Sequence, residues 1–69
     1  MTIANGTVKW FNKEKGFGFI MPDGGGRDVY VNITNVQTPD NNLTDGQRVE
    51  YEMTVGRKGP EAVKVKSLS

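Results

Sequence analysis

The chain has 69 residues, a net charge of +1, and neither cysteine nor histidine. Its length allows one domain, residues 1–69, with a thin core, because so short a chain buries only about 60% of the surface its unfolded form exposes. Disulfides and thiolate metal sites are excluded, the commonest metal ligand and general base are missing, and no cofactor is expected.

No apolar run approaches the roughly 18 residues that cross a membrane, and Met1-Thr2-Ile3-Ala4-Asn5 lacks the charged and apolar regions of a signal peptide. The expectation is a soluble, unexported protein of a reducing cytoplasm with no membrane partner. A pI near 8.0 does not by itself announce a nucleic-acid binder. The distribution of charge says more. Residues 1–22 carry net +2, residues 23–52 net −4 and residues 53–69 net +3.

Nine glycines and three prolines cut the chain into short stretches. None shows apolar residues at helical spacing, so the reading is all-β. The first strand is predicted over Gly6–Asn12, rich in β-branched and aromatic residues, and Asn12-Lys13-Glu14-Lys15-Gly16 turns it back. A second strand over Phe17–Pro22 puts Phe17 and Phe19 on one face, Gly18 and Ile20 on the other. The loop Asp23-Gly24-Gly25-Gly26-Arg27 leads to a third strand, Asp28–Ile33, in which Val29, Val31 and Ile33 alternate with Tyr30 and Asn32.

Thr34–Asp45 is polar, with Pro39, three Asn and two Asp, and reads as a long loop that opens with a short helical turn and carries no core. The fourth strand, Gln47–Val55, places Val49, Tyr51, Met53 and Val55 inward and Arg48, Glu50, Glu52 and Thr54 outward. Gly56-Arg57-Lys58-Gly59 is a hairpin loop, and Pro60 opens a last strand, Glu61–Leu68, whose Val63 and Val65 alternate with Ala62, Lys64 and Lys66. Five short strands with a turn about every ten residues predict a small five-stranded antiparallel barrel, closed or nearly so, because closure hides the edges of so small a sheet.

Four of the six aromatics, Trp10, Phe11, Phe17 and Phe19, fall in the first two strands among Lys9, Lys13 and Lys15. Aliphatic fill comes from Ile20, Val29, Val31, Val49, Met53, Val63 and Val65, so the core does not require Phe17 and Phe19. Glycine at 18 has no side chain to pack, which makes the ring-bearing side of that strand the informative one, and Tyr30 has the parity to join it. Exposed rings beside lysines suit single-stranded nucleic acid: each base stacks on a ring for roughly 1–3 kcal/mol, and each phosphate meets a cation.

The run Lys15-Gly16-Phe17-Gly18-Phe19-Ile20 resembles a ribonucleoprotein-type motif. Together with Gly6-Thr7-Val8-Lys9-Trp10-Phe11-Asn12, Asp28-Val29-Tyr30-Val31, Asp45-Gly46-Gln47-Arg48-Val49 and Gly59-Pro60, it resembles the bacterial cold-shock proteins over essentially the entire chain. That resemblance implies a barrel of the oligonucleotide-binding (OB) type in the cytoplasm. It further implies binding of single-stranded RNA and DNA with low sequence selectivity, and an RNA chaperone that loosens RNA secondary structure and influences transcription or translation. Carried over by position, it places Lys9, Trp10, Phe11, Lys15, Phe17, Phe19 and Asp28 on the binding face, with Tyr30 where the family usually has Phe, and Lys58 at the groove's border. Asp28 would offer a carboxylate to base edges. Lys13 joins on charge grounds, against the plainer reading of a solvated turn lysine.

The chain also departs from the pattern. Where the family usually ends its third strand with histidine and an aromatic, this chain has Asn32 and Ile33, and the long loop lacks an aromatic. Asn32 can hydrogen-bond a base but cannot stack, and Ile33 has the parity of the barrel interior. Each lost ring lowers the expected affinity by about tenfold.

Enzyme readings find little support. Glu50 and Glu52 are the best carboxylate pair, but they share the outward face with Arg48 and read as a solvated surface. Gly24-Gly25-Gly26 is followed by neither Lys-Ser nor Lys-Thr. The alternative function is a protein-interaction barrel using the rings as a hot spot. Oligomeric state reads as monomer, with Thr34–Asp45 as a potential hinge for exchange of the last two strands.

Overall fold

The computed structural model describes residues 2–56 and 59–68. Its strands are β1 (Thr2–Asn12), β2 (Phe17–Pro22), β3 (Val29–Asn32), β4 (Arg48–Gly56) and β5 (Gly59–Ser67), with one 3-10 turn at Ile33–Asn35. They form a closed barrel in the order β1-β2-β3-β5-β4. Neighbours are antiparallel except at the closure, where β3 and β5 run parallel through Tyr30↔Glu61 and Val31↔Ala62. The five-stranded barrel expected from the turn spacing is therefore present. β1 is longer than predicted: Thr2–Asn5 add to it by pairing with β4 from Met53 to Glu50.

The interior is filled by Val8, Ile20, Val29, Val31, Val49, Tyr51, Ala62 and Val65, all at most 1% exposed. Val36 and Leu43 complete the core from the long connection, which corrects the expectation that this segment carries none. Two isolated apolar residues in a polar stretch show no periodicity. What seats Val36 is tertiary: it bridges Val65 in parallel, and the next amide, Gln37 N, donates to Val65 O at 2.8 Å.

Strict alternation fails on β4 and β5. Glu50 pairs with Lys66 and Glu52 with Val63, so Lys64 and Val65 together face Tyr51. Such a bulge resets which residues point inward. Lys64 adopts the left-handed conformation (φ 52°) that absorbs the extra residue. Ala62 and Val65 therefore enter the core, and Val63, expected there, is only half-buried. Val55 is 85% exposed because its pairing with Pro60 lies in the hairpin beyond the packed interior. Glu52, expected on a solvated face, is 7% exposed beside Ile3 and Val63, with Lys64 Nζ 3.4 Å from its Oε2.

The β2–β3 connection is tied back to β4. Arg48 donates to both Asp23 carboxylate oxygens at 2.6 Å and to Thr7 Oγ1 at 2.9 Å. The hydrogen bond from Arg48, more than its charge, holds the Asp23 carboxyl below its ordinary value of 3.8. A carboxyl depressed in the folded state adds stability that is fully present above the unfolded value and is lost as pH falls through the folded one. Asp23→Asn should therefore melt slightly below wild type at neutral pH, with the gap closing in acid below about pH 3.8. The effect is small because both groups are exposed. A gap that persists at the acid end would mean the ion pair is not its source.

Candidate nucleic-acid interface

The outer face of β1 is set by a bulge between Val8 and Trp10. Val8 pairs with Ile20 and Trp10 with Phe19, which leaves Lys9 as the extra residue on β1. Paired residues share a face of the sheet, so Val8 points inward with Ile20 while Trp10 turns outward with Phe19. Without the bulge, Trp10 would have the parity of Val8 and enter the core. Phe11, one residue on and paired with Gly18, packs against the core cluster.

Register then assembles four rings on the outer surface. Trp10, Phe19 and Tyr30 lie in one row across β1, β2 and β3, and Phe17 stands in the next row between Asn12 and Asn32. Trp10 and Phe19 have ring centroids 5.4 Å apart at 60°, and Trp10 and Phe17 are 5.5 Å apart edge-on. Phe17 stacks on Tyr30 at 5.9 Å and 24°, whereas Phe19 meets Tyr30 edge-on at 5.8 Å. Each contact of this kind adds about 0.5–1.5 kcal/mol beyond area burial, so the rings hold one another in place. The patch is half-buried, not fully wet, and Trp10 is its most open member at 36%.

Charged groups stand at the rim. Lys9 Nζ and Asp28 Oδ2 are 2.9 Å apart, so these two expected contact residues pair with each other. Since β2 lies between their strands, the ion pair crosses it. A phosphate arriving at Lys9 would compete with Asp28 for the ammonium, an exchange that would cost little because both groups are about half solvated. Lys15 is exposed on the β1–β2 turn, where its amide donates to Asn12 Oδ1 at 3.0 Å. Lys13 donates to Asp40 O at 3.1 Å and so links that turn to the long connection. Lys58 lies outside the described residues.

Asn32 shares the face of Phe17, but its side chain is engaged locally. Its Oδ1 accepts from Thr34 N and Thr34 Oγ1, both at 3.1 Å, which caps the 3-10 turn, and its Nδ2 donates to the Tyr30 hydroxyl at 3.4 Å. Asn32 thus positions the Tyr30 ring and starts the turn. Ile33, within that turn, sits against Gly16, where an added Cβ would lie 3.2 Å from Ile33 Cγ2. Of the expected residues, the structure brings together Lys9, Trp10, Phe17, Phe19, Asp28, Tyr30 and Asn32, with Lys15 at the adjacent turn. Phe11 is set apart, facing the interior. Met21 was not singled out from the sequence, because an isolated methionine carries no motif; it lies on the same face as Phe17 and Phe19.

Comparison with known proteins agrees with this geometry. The family model described as 'Cold-shock' DNA-binding domain matches residues 4–68. The chain is 51% identical over 69 residues to the cold shock-like protein CspE of Escherichia coli, covering 99% of this chain and all of the relative. It is 52% identical over 61 residues to the cold shock protein ScoF of Streptomyces coelicolor, covering 87% of this chain and 91% of the relative. It is 53% identical over 67 residues to the probable cold shock protein A of Mycobacterium tuberculosis, covering 96% of this chain and all of the relative. The fold matches the solved structure of drosophila Unr CSD456 with a TM-score of 0.82 at 19% identity, covering 99% of this chain and 27% of that one. With a closed five-stranded barrel, a ring patch among lysines and a family match from Ala4 to Leu68, the chain belongs to the cold-shock DNA-binding domain family of nucleic-acid-binding proteins.

Proposed function

We infer that this protein binds single-stranded RNA and DNA in the cytoplasm with little sequence preference, as a monomer, and acts as an RNA chaperone. The carrying observation is the four-ring patch of Trp10, Phe17, Phe19 and Tyr30 on the outside of the barrel. Ring faces accept any unpaired base, and lysines accept any phosphate, so neither contact reads sequence strongly. A duplex keeps its bases stacked on one another and offers the patch nothing. Binding therefore draws RNA toward its unpaired form, which is the physical content of chaperoning. Asn32 supplies no stacking surface where the family pattern has a ring, and that loss alone lowers affinity by about tenfold relative to a member with the full set.

Trp10 reports directly on the patch. Its fluorescence should be quenched to saturation by a short oligo-dT and left unchanged by a duplex of the same length. With about three phosphates engaged by Lys9, Lys15 and Lys58, the logarithm of affinity should fall with the logarithm of salt at a slope of about −2. A response to the duplex equal to that of the single strand, or to neither, would defeat the reading. The second outcome would redirect attention to a protein partner for the rings.

A further inference from the structure

The outer face of β2 does not end at Phe19. Residues two apart share a face, and the pairing of β2 runs unbroken from Phe17 to Ile20 with β3 and from Ile20 to Pro22 with β1. Phe17, Phe19 and Met21 therefore form one row, and Met21 is 42% exposed at its end. The register Ile20↔Val29 sets Asp28 opposite Met21 on one side, Thr7 pairs with Met21 on the other, and the bulged Lys9 stands between the partners of Ile20 and Phe19. The Lys9–Asp28 ion pair thus crosses β2 between Phe19 and Met21.

A second cation lies on the far side of β3. Arg27 precedes Asp28, is exposed, and lays its guanidinium against the start of β5. A Cβ added at Gly59 would stand 3.4 Å from Arg27 Nη2, and Gly59 has φ 107°. An exposed thioether next to the Lys9–Asp28 ion pair continues the pattern of the ring patch, with the Arg27 guanidinium beyond β3. The sulfur is polarizable and adapts its contact to a flat aromatic surface.

We propose that Met21 is a further base platform, at which a bound single strand leaves the ring patch, with Lys9 taking the phosphate beside it and Arg27 the phosphate that follows as the strand passes over β3. This rests on the single-strand reading above. Continuity with the ring row and the Lys9 ammonium between Phe19 and Met21 favour a nucleotide as the occupant. Phosphate draws Lys9 from Asp28 as the strand arrives, and Arg27 waits over Gly59, across β3.

The test is a ladder of oligo-dT from about three to about eight nucleotides, within the usual site sizes of such barrels. Binding is read by anisotropy of labelled oligomers at fixed salt, with thermal melts alongside. Wild-type affinity should climb with length and then level off. Met21→Ala should remove the last step, weakening the longer oligomers about threefold to tenfold and the shorter ones not at all, at unchanged melting temperature. Met21→Phe should restore that step, and Arg27→Gln should lower it while reducing the salt slope by about 0.7. Equal loss at every length, or none at any, with wild-type binding intact would overturn the Met21 platform and leave the single-strand reading standing. Failure of wild type to bind any oligomer would overturn both.

Discussion

Phe19→Ala is expected to weaken binding of a short oligo-dT by about tenfold to a hundredfold while the barrel stays folded. The ring is central: it touches Trp10, Phe17 and Tyr30. Its removal takes away one stacking surface, worth roughly 1–3 kcal/mol, and lets three others tilt. The fold loses less. Phe19 is half-buried on the outer face, and the aliphatic interior does not include it. Losing ring contacts of about 0.5–1.5 kcal/mol each should lower the melting temperature by several degrees. Ile20→Ala should show the opposite balance. That residue is fully buried, and such a truncation costs about 2–5 kcal/mol, much of what a domain of this size has. Anisotropy and thermal melts on both variants decide the matter. Equal destabilisation by the two, with affinity loss only in proportion to unfolding, would make the patch part of the core.

The largest effect on stability is expected from a single methyl group. Gly18 is buried, and a Cβ there would stand 2.7 Å from Phe11 Cα and 2.8 Å from Phe11 Cδ1, in addition to meeting the carbonyl oxygen of Trp10. Two of those three atoms are backbone. The β1 chain next to its bulge must shift, and Phe11 must leave the core. Gly18→Ala should cost about 3 kcal/mol or more, enough to leave much of so small a protein unfolded. Gly24→Ala is the control, because nothing lies within 4 Å of a Cβ at that position, and it should change stability by less than about 0.5 kcal/mol. Chemical denaturation compares the two. A Gly18→Ala protein as stable as wild type would mean that β1 and β2 do not approach as closely as the structure has them.

Gly18 also shows how far the sequence could be read. As a letter in Lys15-Gly16-Phe17-Gly18-Phe19 it marks a motif, and its missing side chain points to the rings on the other face. The reason glycine is needed lies in the contact with Trp10 and Phe11, which only the folded chain has. The same holds for Asn32. Its identity removes a stacking surface, which is legible from the sequence, but its capping of the 3-10 turn and its bond to the Tyr30 hydroxyl depend on where the turn begins.

By itself the sequence determined the class of fold and the chemistry of the surface: five strands from turn spacing, β2 to the residue, and Phe17, Phe19 and Tyr30 on one face by alternation. Those features are local, since glycine, proline and period-two patterning act within a few residues. Tertiary structure decided everything that passes through a bulge. One extra residue at Lys9 turns Trp10 out and Phe11 in, and one at Lys64 exchanges Val63 for Ala62 in the core. Alternation holds only while both partners of a ladder advance together, and whether they do is settled by the strand on the other side. Burial of Val36 was decided in the same way, by its parallel bridge to Val65 beyond the short pairing of β3 and β5.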